Sequence, residues 1–302
     1  MGRSDPILPP GRPVELPGRG TTFVREVDGP RGAPTLVLLH GLGATAGLNW
    51  FQCFRPLGRC FRVVAMDVRG HGRGIVGRRR FRLSDCADDV EALASALGIE
   101  RFVAVGYSMG GPIAKLLWRR HPARVSGLVL CATAPHFGSP LAQRVSRAAA
   151  PLVSACARAV PTRARRRLAN PAHAAWIPDP TIRRWARAEL RGSDPAALIE
   201  AGWALWRFSS QGWVGEIDVP AAVVVTERDR LVPPARQQRL AAGIPGATVH
   251  PVAEGHFACA RRPDLFVPAL LDACRAVAFP TTRWPAGTVS APTAVRTRPV
   301  RT

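Results

Sequence analysis

Five short apolar runs recur along the chain, with amphipathic stretches between them, and this rhythm limits the folds open to it more than any other feature. TLVLL at 35–39, FRVVAM at 61–66, RFVAV at 101–105, GLVLC at 127–131 and AAVVV at 221–225 are dominated by β-branched and other apolar side chains. Strands of this kind need cover on both faces, as in a parallel sheet between two layers of helix. The clearest intervening helix is expected over 84–97, with Ser84 as its cap and Asp85, Asp88 and Asp89 near the positive end of its dipole. Its apolar residues Ala87, Val90, Leu93, Ala94 and Leu97 keep helical spacing, and Gly98 ends it. The alternation predicts an α/β fold, doubly wound around a mostly parallel sheet.

The rhythm fails between 133 and 214. That stretch has no clear strand signal and holds Trp176, Trp185, Trp203, Trp206 and Trp213. It reads as a helical cap inserted after the sixth strand, its tryptophans filling either a core of their own or the roof of a site. The expected division is a mobile segment at 1–20, a core at 21–132 plus 215–278, the cap at 133–214 and a disordered tail at 279–302.

Composition removes several function classes. No run of 18 apolar residues offers a membrane span, and MGRSDPILPPGRPVELPGRG at the start lacks the apolar stretch of a secretory signal. The seven cysteines form no C-x-x-C pair and no metal-ligand spacing, so reduced thiols, a cytoplasmic setting and no metal are expected. The formal net charge is +21, and Lys115 is the only lysine, so arginine carries almost all of the positive charge. No nucleic-acid module accompanies it. The charge reads either as a solvated arginine surface or as weak association with an anionic membrane surface.

Chemistry enters at Gly106-Tyr107-Ser108-Met109-Gly110, directly after the RFVAV strand and before an apolar helix. G-x-S-x-G in that context is a turn that exposes a serine hydroxyl at the carboxyl end of the sheet. His40-Gly41-Leu42-Gly43 ends the TLVLL strand. Backbone N–H groups of Leu42 and Met109 are the expected donors to a tetrahedral oxyanion, with His40 organising the loop. Asp229 lies in the loop after AAVVV, two residues beyond Glu227, and His256 follows Gly255 ahead of a last helix at about 264–276. Nucleophile, acid and histidine in that chain order predict Ser108 as nucleophile, His256 as its general base and Asp229 as the group that orients the ring. His71 and His250 are the weaker histidine candidates.

With HGLG at 40–43, DVRGHG at 67–72, GYSMGG at 106–111, RDRLVPP at 228–234 and GH at 255–256, residues 21–278 resemble the α/β-hydrolase family, closest to its capped, esterase-like branch. The run HGLGATAGLNWF at 40–51 is similar to that of capped hydrolases from actinobacteria. The resemblance implies an eight-stranded sheet, a lid made by the 133–214 insertion and no cofactor. Serine at the nucleophile position argues against the haloalkane dehalogenase and epoxide hydrolase branches. Arg73-Gly74-Ile75, leading into Arg78-Arg79-Arg80, departs from the small polar residues common after GHG. The expected activity is hydrolysis of a carboxylic ester, thioester or lactone of a small, apolar molecule, with Trp203 and Trp206 as candidate substrate contacts. A carbon–carbon bond hydrolase acting on a ketone and a low-turnover receptor for a small ligand are the alternatives.

Overall fold

The computed structural model describes residues 8–76, 80–138 and 180–280. Trp176, Arg78, Arg79, most of the expected cap (139–179) and the tail beyond Pro280 lie outside them. Eight strands form one sheet in the order β1-β2-β4-β3-β5-β6-β7-β8. They are β1 (Gly11–Leu16), β2 (Gly20–Val27), β3 (Thr35–Leu39), β4 (Arg62–Met66), β5 (Phe102–Tyr107), β6 (Val125–Cys131), β7 (Ala221–Thr226) and β8 (Thr248–Val252). From β4 through β8 neighbouring strands run parallel, while β2 is antiparallel to both β1 and β4. Strand order reverses around β3, with β4 on one side and β5 on the other, so the loops leaving β3 and β5 diverge. That divergence opens a crevice at the carboxyl ends of the strands.

Side chains alternate across the sheet, so each strand feeds two cores. Val37, Leu39, Phe102 and Ala104 enter the core under α3 (Leu83–Ala96) and α4 (Gly110–Arg120). Leu36, Leu38, Val103, Val105 and Tyr107 enter the opposite core. There they meet α1 (Ala46–Trp50), α2 (Phe54–Gly58) and α9 (Pro263–Ala278). Between β6 and β7 lie α5 (Pro180–Leu190) and α6 (Pro195–Arg207), and α7 (Pro234–Gly243) and α8 (Ala258–Arg261) complete the helices used below. No helix among the described residues is long and apolar enough to cross a membrane.

Two local expectations change. Gly11–Leu16, placed in a mobile segment by its Pro/Gly/Arg content, is an edge strand paired with β2. Val14 and Leu16 face the core at a two-residue period, and Pro13 is tolerated there because an edge strand leaves one side without a ladder. The helix expected to start after Ser84 begins at Leu83, with Arg82 at the cap position and no side-chain capping bond. Buried Phe81 and Leu83 anchor its entry instead. Six cysteines among the described residues are unpaired, five of them buried.

Candidate active site

The elbow follows from packing. Ser108 has φ of 51°, a left-handed conformation that costs free energy for a residue with a side chain, and its main chain is pinned on both sides. Its N–H donates to the Cys131 carbonyl at 2.9 Å, and its carbonyl accepts from Thr133 Oγ1 at 2.9 Å. A Cβ on Gly106 would run into the carbonyl of Gly110, and one on Gly110 into the carbonyl of Leu39. Strand and helix can approach this closely only with glycine at both positions.

Ser108 Oγ lies 3.0 Å from His256 Nε2, and His256 Nδ1 lies 2.7 Å from Asp229 Oδ2. These three residues, 148 and 27 positions apart along the chain, thus form one hydrogen-bonded row. Asp229 is buried, yet its carboxyl stays below the usual carboxylate range. Burial alone would raise it, and the hydrogen bond and charge of His256, with bonds from Val232 N–H and Thr226 Oγ1, outweigh that. Oδ1 accepts from the N–H groups of Leu231 and Val232, both at 2.8 Å. Oδ2 accepts from Thr226 Oγ1 at 2.8 Å and Gln237 Nε2 at 3.2 Å. An ionised carboxylate only accepts, so in the neutral ring Nδ1 carries the proton and Nε2 faces the serine. Glu227 is exposed, and its N–H donates to the Val252 carbonyl at 2.9 Å.

Thr226 and Gln237 were not singled out in the sequence. Gln237 is fully buried beside Leu240 and Ala241 on the inner face of α7, and its amide spans Thr226, Val232 and Asp229. A polar residue on an otherwise apolar helix face was the available signal.

The loop after β3 is built around His40. Its Nε2 accepts from Val68 N–H at 2.9 Å and its Nδ1 lies 2.8 Å from the Gly41 carbonyl. Burial lowers its pKa to about 4, so the ring is neutral and structural. Gly41 N–H donates to Asn49 Oδ1 at 3.1 Å, which fixes the turn presenting Leu42. Among the described residues no group accepts from the N–H of Leu42 or of Met109, the latter at the cap position of α4. The Asp67 carboxylate accepts from Ala46 N–H and Arg73 N–H, tying the DVRGHG loop to α1. Arg73 stacks on the Phe23 ring at 3.4 Å and reaches Glu189 of α5 at 3.3 Å, so its charge is held away from the serine. His71 is buried, with Nδ1 against the Arg69 carbonyl, and His250 pairs with Thr248 on β8.

Ser108 and His256 face a cavity of about 460 Å³ walled by Leu42, Leu48, Phe137, Leu205, Trp206, Leu231, Val232 and Phe257. No Lys, Arg, Asp or Glu lines it among the described residues. Trp206 is part of the wall and Trp203 is not. Trp185 packs on Phe51 and Trp213 stacks on Trp118, so those two serve packing.

Residues 34–263 match the family described as alpha/beta hydrolase fold. The chain is 32% identical over 250 residues to a protein of Agrobacterium fabrum named "Putative carbamate hydrolase RutD", covering 80% of this chain and 92% of that one. The enol-lactonase structure from Burkholderia xenovorans LB400 superposes with a TM-score of 0.69 at 26% identity, covering 86% of this chain and 98% of that one. A thermophilic esterase from Thermogutta terrifontis does so with a TM-score of 0.70 at 25% identity, covering 88% and 99%.

Proposed function

This chain belongs to the alpha/beta hydrolase fold family and is a hydrolase, and from that premise we propose that it cleaves uncharged carboxylic esters or lactones through an acyl-enzyme on Ser108. The observation that carries the proposal is the Ser108–His256–Asp229 row at the floor of an apolar cavity. His256 Nε2 takes the Oγ proton as Oγ attacks the substrate carbonyl, and the Asp229 carboxylate stabilises the resulting imidazolium. The N–H groups of Leu42 and Met109 receive the oxyanion, the second with help from the α4 dipole. As the tetrahedral adduct collapses, His256 returns the proton to the leaving alkoxide. Water then attacks the Ser108 ester with His256 again as base, releasing the acid and regenerating the hydroxyl. In a lactone the alkoxide remains tethered, and the product is a hydroxy acid.

The lining argues for the substrate class. The Agrobacterium relative is named for hydrolysis of carbamate, which as the free ion is small and anionic. Among the described residues no Lys or Arg lines the cavity to meet such a charge, and its aliphatic and aromatic wall gains free energy by covering apolar area. Turnover of acetyl, butyryl and octanoyl esters, γ-lactones and carbamate, with mass spectrometry of the quenched enzyme, tests this. An acyl adduct on wild type and none on Ser108→Ala is expected, together with loss of fluorophosphonate labelling in the folded variant. Undiminished labelling of Ser108→Ala, or turnover of carbamate above every ester, would refute the proposal.

A further inference from the structure

Tyr107, the only tyrosine of the chain, immediately precedes the nucleophile and closes β5. Its hydroxyl donates to the main-chain carbonyl of His256 at 2.5 Å, across 149 residues of sequence. Among the described residues this is the one side-chain hydrogen bond to the His256 main chain. His256 needs such a hold, because little regular structure surrounds it. It sits in the loop between β8 and α8, a helix of only four residues. The strand behind Tyr107 is different: β5 lies inside the sheet between β3 and β6, and every one of its residues is buried.

We propose that Tyr107 is a positioning residue, fixing the base to the same rigid dipeptide that carries the nucleophile. Ser108 meets the imidazole at Nε2 and Tyr107 holds the carbonyl of that same residue, so the attacking distance is set by a closed loop through one peptide bond. Three rings fix the phenol's direction: Trp50, Phe266 and the imidazole itself, with centroids 6.0, 5.6 and 5.9 Å away in edge-on contact. Burial pushes the phenol well above its ordinary pKa, so it remains a donor wherever the enzyme works. The hydroxyl donates to the main chain, with the buried Cys259 thiol beside it, and although the ring also forms part of the cavity wall, this bond makes Tyr107 act on the reaction through His256. A loop that let the base drift would lose near-attack geometry without changing how the substrate is held.

The inference rests on the acyl-enzyme reading and is tested by Tyr107→Phe, which keeps the ring and removes the oxygen. Expected is a fall in kcat of roughly three- to tenfold, the range allowed by one buried hydrogen bond, at unchanged KM. The rate of fluorophosphonate labelling at Ser108 should fall by the same factor. Phe266→Leu is the companion variant, because it loosens the packing around the same ring and leaves the hydroxyl in place. It should lower the melting temperature without separating kcat from KM. Wild-type kcat in Tyr107→Phe, or a parallel loss of kcat and KM in both variants, would overturn the role of Tyr107. Labelling that persists in Ser108→Ala would instead bring down the acyl-enzyme reading, and the positioning role with it.

Discussion

Asp229 and Glu227 stand two residues apart in the loop after β7, and their surroundings separate their roles. Asp229 is buried and accepts from two main-chain N–H groups, Thr226, Gln237 and His256, whereas the Glu227 side chain is exposed. Asp229→Asn should lower kcat by on the order of 10⁴, because an amide in that position can hold the ring in the wrong tautomer. Glu227→Gln should leave kcat within about twofold, as exposed substitutions away from the reacting atoms generally do. Steady-state kinetics on one short ester decides between them, and a reversed order would move the orienting role to Glu227. The row itself was legible because each member stands beside a local signature: glycines at the elbow, a strand end before Asp229, Gly255 before His256. Tyr107 was not legible in this way. Its partner is a main-chain carbonyl 149 residues away, and a carbonyl leaves no mark in sequence. Ser84 failed in the opposite direction, since a good capping residue was present but the apolar anchors Phe81 and Leu83 set the start of the helix one residue ahead of it.

At the level of elements, strands β3 to β7 were readable to within a residue or two, because burial on both faces forces an apolar run, whereas β2, inside the sheet but only partly buried, was not. Edge strand β1 was not, as only Val14 and Leu16 face inward and the remaining four residues are exposed. Within the segment between β6 and β7, the described stretch 180–207 was readable as helical and Trp-bearing, but the faces of its helices were not assigned. In α6 the structure assigns them: Leu205 and Trp206 reach the cavity, whereas Trp203 does not. The helix is held by its Asp194 cap, by Glu200 accepting from Phe81 N–H, and by Ser193 on the neighbouring turn accepting from Gly72 N–H. Trp206 is 50% exposed at the cavity mouth, so its removal leaves little void. A bound octanoyl chain that covers about 60 Å² of the indole would lose about 1.5 kcal/mol in Trp206→Ala, roughly tenfold in kcat/KM. An acetyl ester should lose less than about twofold, because so short a chain covers little of the indole. Trp203→Ala, by contrast, should shift the melting temperature and reduce all chain lengths alike. Rates across acetyl, butyryl and octanoyl esters, alongside melting curves, check both. Uniform loss in Trp206→Ala would remove it from the acyl site.

Over the whole molecule, buried ionisable groups set how stability follows pH. The Lys115 ammonium is fully buried on α4, donating to the Ala134 carbonyl at 2.8 Å and Ser210 Oγ at 3.0 Å, with the Phe208 ring 5.0 Å away and no carboxylate paired with it among the described residues. These contacts fasten the chain leaving β6 to the chain returning towards β7, next to the bridge between His136 and Ser209. Burial lowers the lysine's pKa to about 7 from 10.5, and that of His40 to about 4 from 6.5. Both are bases that bind protons more readily when unfolded, so each makes the fold less stable as pH falls. The contribution of His40, about 3 kcal/mol, is complete above pH 6.5 and disappears as pH falls towards 4. The penalty at Lys115 is fully present below pH 7 and is relieved as pH rises from 7 towards 10.5. The buried thiols oppose this on the alkaline side. Burial raises the pKa values of Cys53, Cys86, Cys131, Cys259 and Cys274, so the unfolded chain alone loses those protons above about pH 9. Stability should therefore peak near about pH 8.5, between the relief at Lys115 and the loss at the thiols. Urea unfolding of the wild type should gain about 1.5 kcal/mol between pH 7 and that maximum from Lys115 alone. Lys115→Met keeps an unbranched side chain of similar length and has no proton to lose, so its curve should lack that rise, turn down towards pH 8.5 as the thiols begin to ionise in the unfolded chain, and keep the His40 decline below pH 6.5. Parallel curves for the two proteins between pH 7 and 8.5 would show that the lysine titrates as it does in water, and that its burial does not govern the fold.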